Sequence, residues 1–172
     1  MKKILFLVCA AAVCISFQVN AQTFKFGHIN GNEIIEILYE LDSVPVKLEK
    51  TQKDLQEILS EVAAEFEKKS TEFEANQDKW SQVVKESKQA ELIDLNRRAQ
   101  TQQQNAQFKF QQEERRLIGL LQKKLKDAVD KVAKTGGFTY IFDISSGSPI
   151  YANETQSTDI GALVRKELGI AK

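Results

Sequence analysis

The sequence predicts an α+β protein in which a long antiparallel α-helical hairpin, the arm, is carried by a small β-rich base. Residues 46–135 contain no proline and one glycine, and they are rich in residues with high helix propensity. Pro45 precedes this run and Gly136-Gly137 follows it, as is typical of helix ends. After Gly137 the hydrophobic period becomes two residues, which indicates a strand.

Residues 1–21 have the pattern of a bacterial secretory signal peptide. Lys2 and Lys3 precede an apolar run from Ile4 to Phe17, and Val19-Asn20-Ala21 resembles a cleavage site. The apolar run is too short to span a bilayer comfortably. We therefore expect cleavage after Ala21 and export to the periplasm, with a buried N-terminal helix as the alternative.

Composition argues against several classes of function. Cys9 and Cys14 lie inside the predicted signal peptide, so the mature chain would have no thiol, disulfide or cysteine-based metal site. His28 is the only histidine, and we interpret it as a strand residue at a sheet face or subunit contact. The chain has 24 basic and 24 acidic residues, a balance that argues against a general nucleic-acid binder. Because no nucleophile, phosphate-loop or histidine-cluster motif is present, we expect no catalytic residues, metal or cofactor.

The first elements after the signal peptide are a strand and a short helix. Thr23–Ile29 alternates aromatic and polar residues, which predicts a strand. Asn30 to Asn32 offers a cap, and Glu33–Leu41 has the periodicity of an amphipathic helix. Asp42, Ser43 and Pro45 then allow a break before the long helix. The apolar face of the short helix comprises Ile34, Ile37, Leu38 and Leu41.

The outgoing half of the arm shows a seven-residue repeat typical of a coiled-coil seam. Lys69 and Asn76 interrupt the second apolar row. The aromatic members of the first row have two interpretations: ordinary seam packing, or apolar surface left open for a bound protein. The first row contains Leu59, Phe66, Phe73 and Trp80, and the second contains Leu48, Leu55, Val62 and Val83.

The returning half of the arm repeats every eleven residues instead. We place the turn near Gln82–Gln89, because this position roughly halves the run. An eleven-residue repeat favours a straight or right-handed coil, so the two halves disagree in pitch and splaying is expected. The polar span Gln100–Gln107 should be among the more mobile parts. The two rows contain Ala99, Phe110, Leu121 and Val132, and Ala106, Leu117 and Ala128.

The C-terminal region predicts a β-hairpin and a last helix. Phe138–Ile144 alternates as a strand, Ser145–Pro149 is a turn, and Ile150–Ala152 returns as a second strand. Thr158 can cap a helix over Asp159–Leu168. The apolar stripe of this helix comprises Ile160, Leu163, Val164 and Leu168.

The parts outside the arm, 22–45 and 136–172, number only 61 residues. A unit of this size without disulfide or metal is marginally stable alone, so we expect self-association through the base. The candidate oligomerisation residues are Phe24, Phe26, Phe138, Tyr140, Phe142, Ile144 and Tyr151.

The order of these segments resembles the Skp (OmpH-like) family of periplasmic chaperones. The resemblance covers essentially the whole mature chain: FKFGHIN, NEIIEIL, a proline, the charged hairpin, KVAKTGGFTYIFD, PIYANE and TDIGALVRKEL. Its most specific part is Lys131 to Leu168, and KQAEL at Lys88–Leu92 resembles the family's arm tips.

The resemblance implies a homotrimer whose arms enclose a cavity and hold unfolded outer-membrane β-barrel proteins without ATP. A membrane surface or lipopolysaccharide is a further candidate partner, because some family members carry a basic lipopolysaccharide-binding patch. The candidate client-binding residues are Phe66, Phe73, Trp80, Val83, Val84, Leu92, Leu95, Phe108 and Phe110. Basic residues near the tip are Lys79, Lys85, Lys88, Arg97 and Arg98.

A structural or adaptor coiled coil of the cell envelope is the alternative. The interruptions at Lys69 and Asn76 favour the chaperone, because a spacer would be better served by an unbroken seam.

Overall fold

The structure is a computed structural model that describes residues 24–147, 149–153 and 155–170. Two long helices pack against each other as an antiparallel hairpin, and three short strands form one sheet, so the predicted α+β class is confirmed. The predicted signal peptide lies outside the described residues. The elements are β1 (Phe26–Ile29), α1 (Gly31–Leu41), α2 (Val44–Asn76), α3 (Gln82–Gly136), β2 (Tyr140–Asp143), β3 (Ser157–Asp159) and α4 (Gly161–Glu167).

The sheet is parallel, and its strand order is β2-β1-β3. The predicted β-hairpin is therefore wrong: Ile150–Ala152 is not a strand, and the third strand is Ser157–Asp159 on the far side of β1. This pairing is favoured because it delivers the next residue into the core. Ile160 donates its backbone N–H to the His28 carbonyl at 3.0 Å, and its side chain is fully buried.

The core lies between one face of the sheet, α1, α4 and the base of the arm. Ile34 and Leu38 of α1 are fully buried, as are Ile160 and Val164 at the start of α4. The predicted apolar faces of both short helices are confirmed at these positions, whereas Leu41, at the end of α1, and Leu163 of α4 are exposed. Further core residues are Ile29, Val44, Leu48, Leu117, Leu121, Ala128 and Ile170.

The turn of the arm lies at residues 77–81, where a 3-10 helix, Gln77–Lys79, is followed by two extended residues, Trp80 and Ser81. The prediction of a turn near Gln82–Gln89 is wrong, because these residues are the first two turns of α3. The prediction assumed that the two helices of the arm have equal lengths. Helix α2 has 33 residues and α3 has 55, about 50 and 80 Å long. The last turns of α3 extend past the start of α2 and pack on α1 and α4.

The break between α1 and α2 occurs at Asp42-Ser43, as the sequence predicted. Ser43 adopts a left-handed conformation with φ 54°, and Pro45 occupies the first turn of α2. The Asp42 carboxylate accepts from Lys124 Nζ at 3.0 and 3.1 Å, while Lys47 Nζ donates to the Asp42 carbonyl. These contacts join the end of α1 to both helices of the arm.

Asp143, at the end of β2, lies against the N-terminus of α1. Its Oδ1 accepts from the Gly31 N–H at 3.0 Å, a favourable position for a carboxylate beside a helix N-terminus. A Cβ on residue 31 would lie 2.6 Å from Asp143 Oδ2, so glycine is required for this approach. Partial burial alone would raise the pKa of Asp143. Hydrogen bonds from the Ser145 hydroxyl and from the N–H groups of Gly31 and Ser145 outweigh it and lower that pKa.

Asp143→Asn is expected to remove a pH-dependent part of the stability. Because the folded-state pKa of Asp143 lies below its unfolded value of about 4, the carboxylate stabilises the fold fully above that value. The stabilisation is lost as pH falls through the lower, folded-state pKa. Urea unfolding at pH 7 and pH 3 measures this: the variant should be less stable at pH 7, and the difference should shrink at pH 3. An equal difference at both values would contradict the role of the charge.

Candidate functional site on the helical arm

The apolar rows of the arm face inward at its base. Leu117, Leu121 and Ala128 of α3 are buried, and Leu48 of α2 is buried with them. All seven members of the two eleven-residue rows are buried or half-buried, which confirms the face predicted from that repeat. The base of the arm is thus a continuous extension of the core.

Further along the arm the helices leave a shallow cleft of about 300 Å³. Such a gap is expected where a seven-residue repeat meets an eleven-residue repeat, because the two rows drift out of register. Helix α2 lines the cleft with Gln52, Leu55, Gln56 and Leu59, and α3 lines it with Ala106, Gln107, Phe110 and Gln111.

Charged residues cross the arm where the second apolar row is interrupted. Lys69 Nζ of α2 lies 2.8 Å from Glu91 Oε1 of α3, and Lys88 Nζ lies 3.6 Å from Glu72 Oε1. The hydrogen bond with Lys69 is the main cause that lowers the pKa of Glu91, and in turn it raises the pKa of Lys69. These pairs are partly exposed, so salt screens them and their net stabilisation is small. They link α2 and α3 at the level where the second apolar row is interrupted.

Aromatic side chains lie at the tip. The rings of Phe73 and Trp80 meet edge to face with centroids 5.9 Å apart, and Lys88 Nζ lies 6.0 Å from the Trp80 ring centroid. Both rings are half-buried. Val83, in the first turn of α3, is 75% exposed. The tip therefore combines a small aromatic cluster with accessible aliphatic surface.

The predicted client-binding residues differ in accessibility. Val83, Val84 and Phe108 are exposed. Leu95 is only 3% exposed, so its side chain is not part of the open surface of the chain, contrary to what a client-binding role would require. Ile58 and Ile93, which were not among the predicted residues, are also exposed and belong to none of the four apolar rows. The sequence did carry a signal for them, because each is an apolar residue on an otherwise polar face of its helix. The remaining candidates, Phe66, Phe73, Trp80, Leu92 and Phe110, are half-buried.

Two of the five basic residues predicted near the tip have acidic partners. Lys88 is paired across the arm, and Arg97 forms an ion pair with Asp94. Within the part of the chain that the structure describes, Lys79, Lys85 and Arg98 form no ion pair. In the same part of the chain there is no helix long and apolar enough to cross a membrane, and no acidic, histidine or cysteine cluster suited to a metal ion.

A second apolar surface lies on the open face of the sheet. Phe26 stacks on Tyr140 with ring centroids 6.3 Å apart and is tilted against Phe142 at 6.4 Å, and Phe24 stacks on Phe26 at 6.4 Å. Tyr140 remains 60% exposed. A contiguous exposed aromatic patch of this kind marks an interaction surface.

The other predicted oligomerisation residues lie around or behind this patch. Ile144 and Tyr151 are exposed, whereas Phe138 is half-buried against the core with Lys25 Nζ 4.2 Å from its ring centroid. His28 lies on β1 as predicted, and its Nδ1 is 2.9 Å from Ser157 Oγ.

Comparison with known proteins identifies one family. The family model described as "Outer membrane protein (OmpH-like)" matches residues 25–168. A search of curated proteins finds no match to the chain.

Proposed function

The chain belongs to the OmpH-like family of outer-membrane-protein chaperones, and we propose that it is an ATP-independent periplasmic holdase. Its clients in this proposal are unfolded outer-membrane β-barrel proteins, held between helical arms. The observation that carries the proposal is the exposed apolar surface of an arm whose seam is incomplete. Val83, Phe108 and Ile93 stand exposed among charged and polar neighbours.

Such an arm fits the physical requirements of a holdase. A protein that binds unfolded chains reduces their free concentration, and therefore their aggregation, by mass action. Scattered apolar side chains offer many weak contacts to clients of different sequence. The aromatic pair at Phe73 and Trp80 adds polarizable surface at the tip.

We further propose that the open face of the sheet joins three copies of the chain. Parallel sheets are almost always covered on both faces, yet among the residues that the structure describes only one face packs on helices of the same chain. The aromatic patch on the other face needs a cover, and a second copy provides one by symmetry. Three copies follow from the family resemblance.

Aggregation of a urea-unfolded outer-membrane β-barrel protein tests the proposed function. Diluting the barrel protein out of urea should make it aggregate and scatter light. The mature chain should suppress this scattering in a concentration-dependent way. No ATP is added. A coiled-coil protein of similar length, with an unbroken seam, is the control. If the chain suppresses scattering no better than the control, the alternative of a structural or adaptor coiled coil is favoured.

Replacing both Phe73 and Trp80 with serine should weaken client holding several-fold and leave self-association unchanged. The two rings lie at the tip, far along α2 from the sheet, so only arm contacts are removed. Suppression of scattering and sedimentation velocity measure the two properties. Val46→Ser, at an exposed apolar position near the base of the arm, is the control. Loss of the oligomer in the double variant would mean that the tip serves assembly.

A further inference from the structure

The cleft between α2 and α3 has an apolar floor and a polar rim. The floor consists of Leu55 and Leu59 from α2 and Ala106 and Phe110 from α3, all half-buried. The rim consists of four exposed glutamines, Gln52 and Gln56 on one helix and Gln107 and Gln111 on the other. Each helix therefore contributes one pair of apolar residues and one pair of amides, each pair spaced by four residues.

Ala106 is the reason that the floor is open. At this level of the arm, the seven-residue repeat of α2 places leucines on the inner face, while the eleven-residue repeat of α3 places an alanine there. A methyl group is too short to fill the space between the helices. The resulting volume of about 300 Å³ is at the lower end of the range for ligand sites, about 300–1,000 Å³. It accommodates one or two large side chains.

The four rim amides are available for binding. None of them has a hydrogen-bond partner among residues 24–147, 149–153 and 155–170. Residues four apart on a helix are neighbours on one face, so each side of the cleft carries two amides in a row. Every amide offers both donors and an acceptor, the groups that pair with a peptide backbone.

The cleft is also free of charge. No charged side chain lines it, although 28% of the chain is charged. The neighbouring stretch of α3 from Ala99 to Phe108 likewise contains no charged residue. A neutral lining disfavours a charged occupant, because the charge would lose water without gaining a partner.

We infer that this cleft binds an uncharged, extended segment of an unfolded client in which apolar and polar residues alternate. In an extended chain every second side chain points to one side, so alternate apolar side chains enter the floor while the rim amides bind the backbone. A bound helix would not use the rim, because its backbone groups are already paired internally. The same alternation is the pattern of a membrane-spanning β-strand, and the inference rests on the proposed function.

Two variants and a peptide probe test the inference. The probe is a fluorescent, neutral peptide of about ten residues in which leucine and serine alternate, an extended length of about 33 Å. Ala106→Leu fills the floor, and Gln107→Glu places a carboxylate on the rim. Fluorescence anisotropy with the full mature chain should show each variant binding at least about fivefold more weakly, the equivalent of losing about 1 kcal/mol.

Matched controls lie outside the cleft on the same helices. Ala64→Leu and Gln112→Glu make the same chemical changes at exposed positions and should bind the peptide as the unmodified chain does. A peptide of the same composition, with its leucines at helical spacing, should bind more weakly than the alternating one. Far-UV circular dichroism checks that every variant is folded.

Specific outcomes would overturn the inference. Unchanged peptide affinity in Ala106→Leu would show that the cleft is not the site, and equal affinity for the two peptides would exclude selection of an extended segment. Either result leaves the proposed function standing if the chain still suppresses aggregation of the barrel protein. Conversely, cleft-dependent peptide binding without such suppression would support the site and reject the holdase function.

Discussion

Tyr140→Asp combined with Phe142→Asp is expected to leave the protein monomeric and to abolish most of its client holding. Both rings lie in the exposed aromatic stack on the open sheet face. An interface on this face would have to bury two carboxylates per chain without partners, which is strongly unfavourable. A loss of about 3 kcal/mol in association free energy at each interface between copies would already weaken that interface more than about a hundredfold. Client holding should fall with it, because the proposed holding of clients between arms requires several copies.

The fold of the single chain should survive this double substitution. Tyr140 and Phe142 are exposed on the chain itself, so the aspartates remain in water in the monomer. Sedimentation velocity gives the mass in solution, and circular dichroism gives the helix content. Ala162→Asp, at an exposed position of α4 behind the sheet, is the control and should assemble normally. A double variant that sediments as the unmodified oligomer would refute the proposed interface.

Leu121→Ala is expected to destabilise the protein by about 3 kcal/mol, whereas Leu120→Ala should cost less than about 0.5 kcal/mol. The two leucines are adjacent in α3, so the change in helix propensity is the same for both. Leu121 is 2% exposed in the core where α3 meets α1 and α2, and Leu120 is 52% exposed. The difference between the variants therefore isolates the burial and cavity contributions.

Urea unfolding at a single, fixed protein concentration measures both variants. The concentration must be fixed because the apparent stability of an oligomer depends on it. Similar losses for Leu120 and Leu121 would mean that Leu120 is also covered in solution, and therefore that the arms contact each other near the base.

Most of the secondary structure could be predicted from local patterns. The long helices, the break at Asp42-Ser43, the cap at Asn30 and the strand at Phe26–Ile29 each depend on neighbours in the sequence. Asn30 Oδ1 accepts from the Glu33 N–H at 3.3 Å, a contact within one helical turn. The prediction for the start of α4 was less accurate. The predicted cap, Thr158, lies in β3, and Asp159 Oδ1 instead accepts from the Gly161 N–H.

The candidate site was only partly predictable. The repeats correctly placed Phe110 and Leu121 on the inner face of α3, because helical periodicity alone determines which residues share a face. They could not separate Leu95, which is buried, from Val83, which is exposed. That distinction depends on where the partner helix ends, and the turn lies five or more residues earlier than an equal division of the run would place it.

By itself the sequence determined that the chain forms long helices, a short amphipathic helix and aromatic strands, since propensity, periodicity and caps act over a few residues. Only the tertiary structure decided how these elements meet. The parallel pairing of β1 with β2 and β3, the Asp143–Gly31 contact and the cleft at Ala106 join residues about 50 to 130 positions apart. Such contacts form because together they bury the core at Ile34, Ile160 and Val164. No local pattern encodes that shared burial.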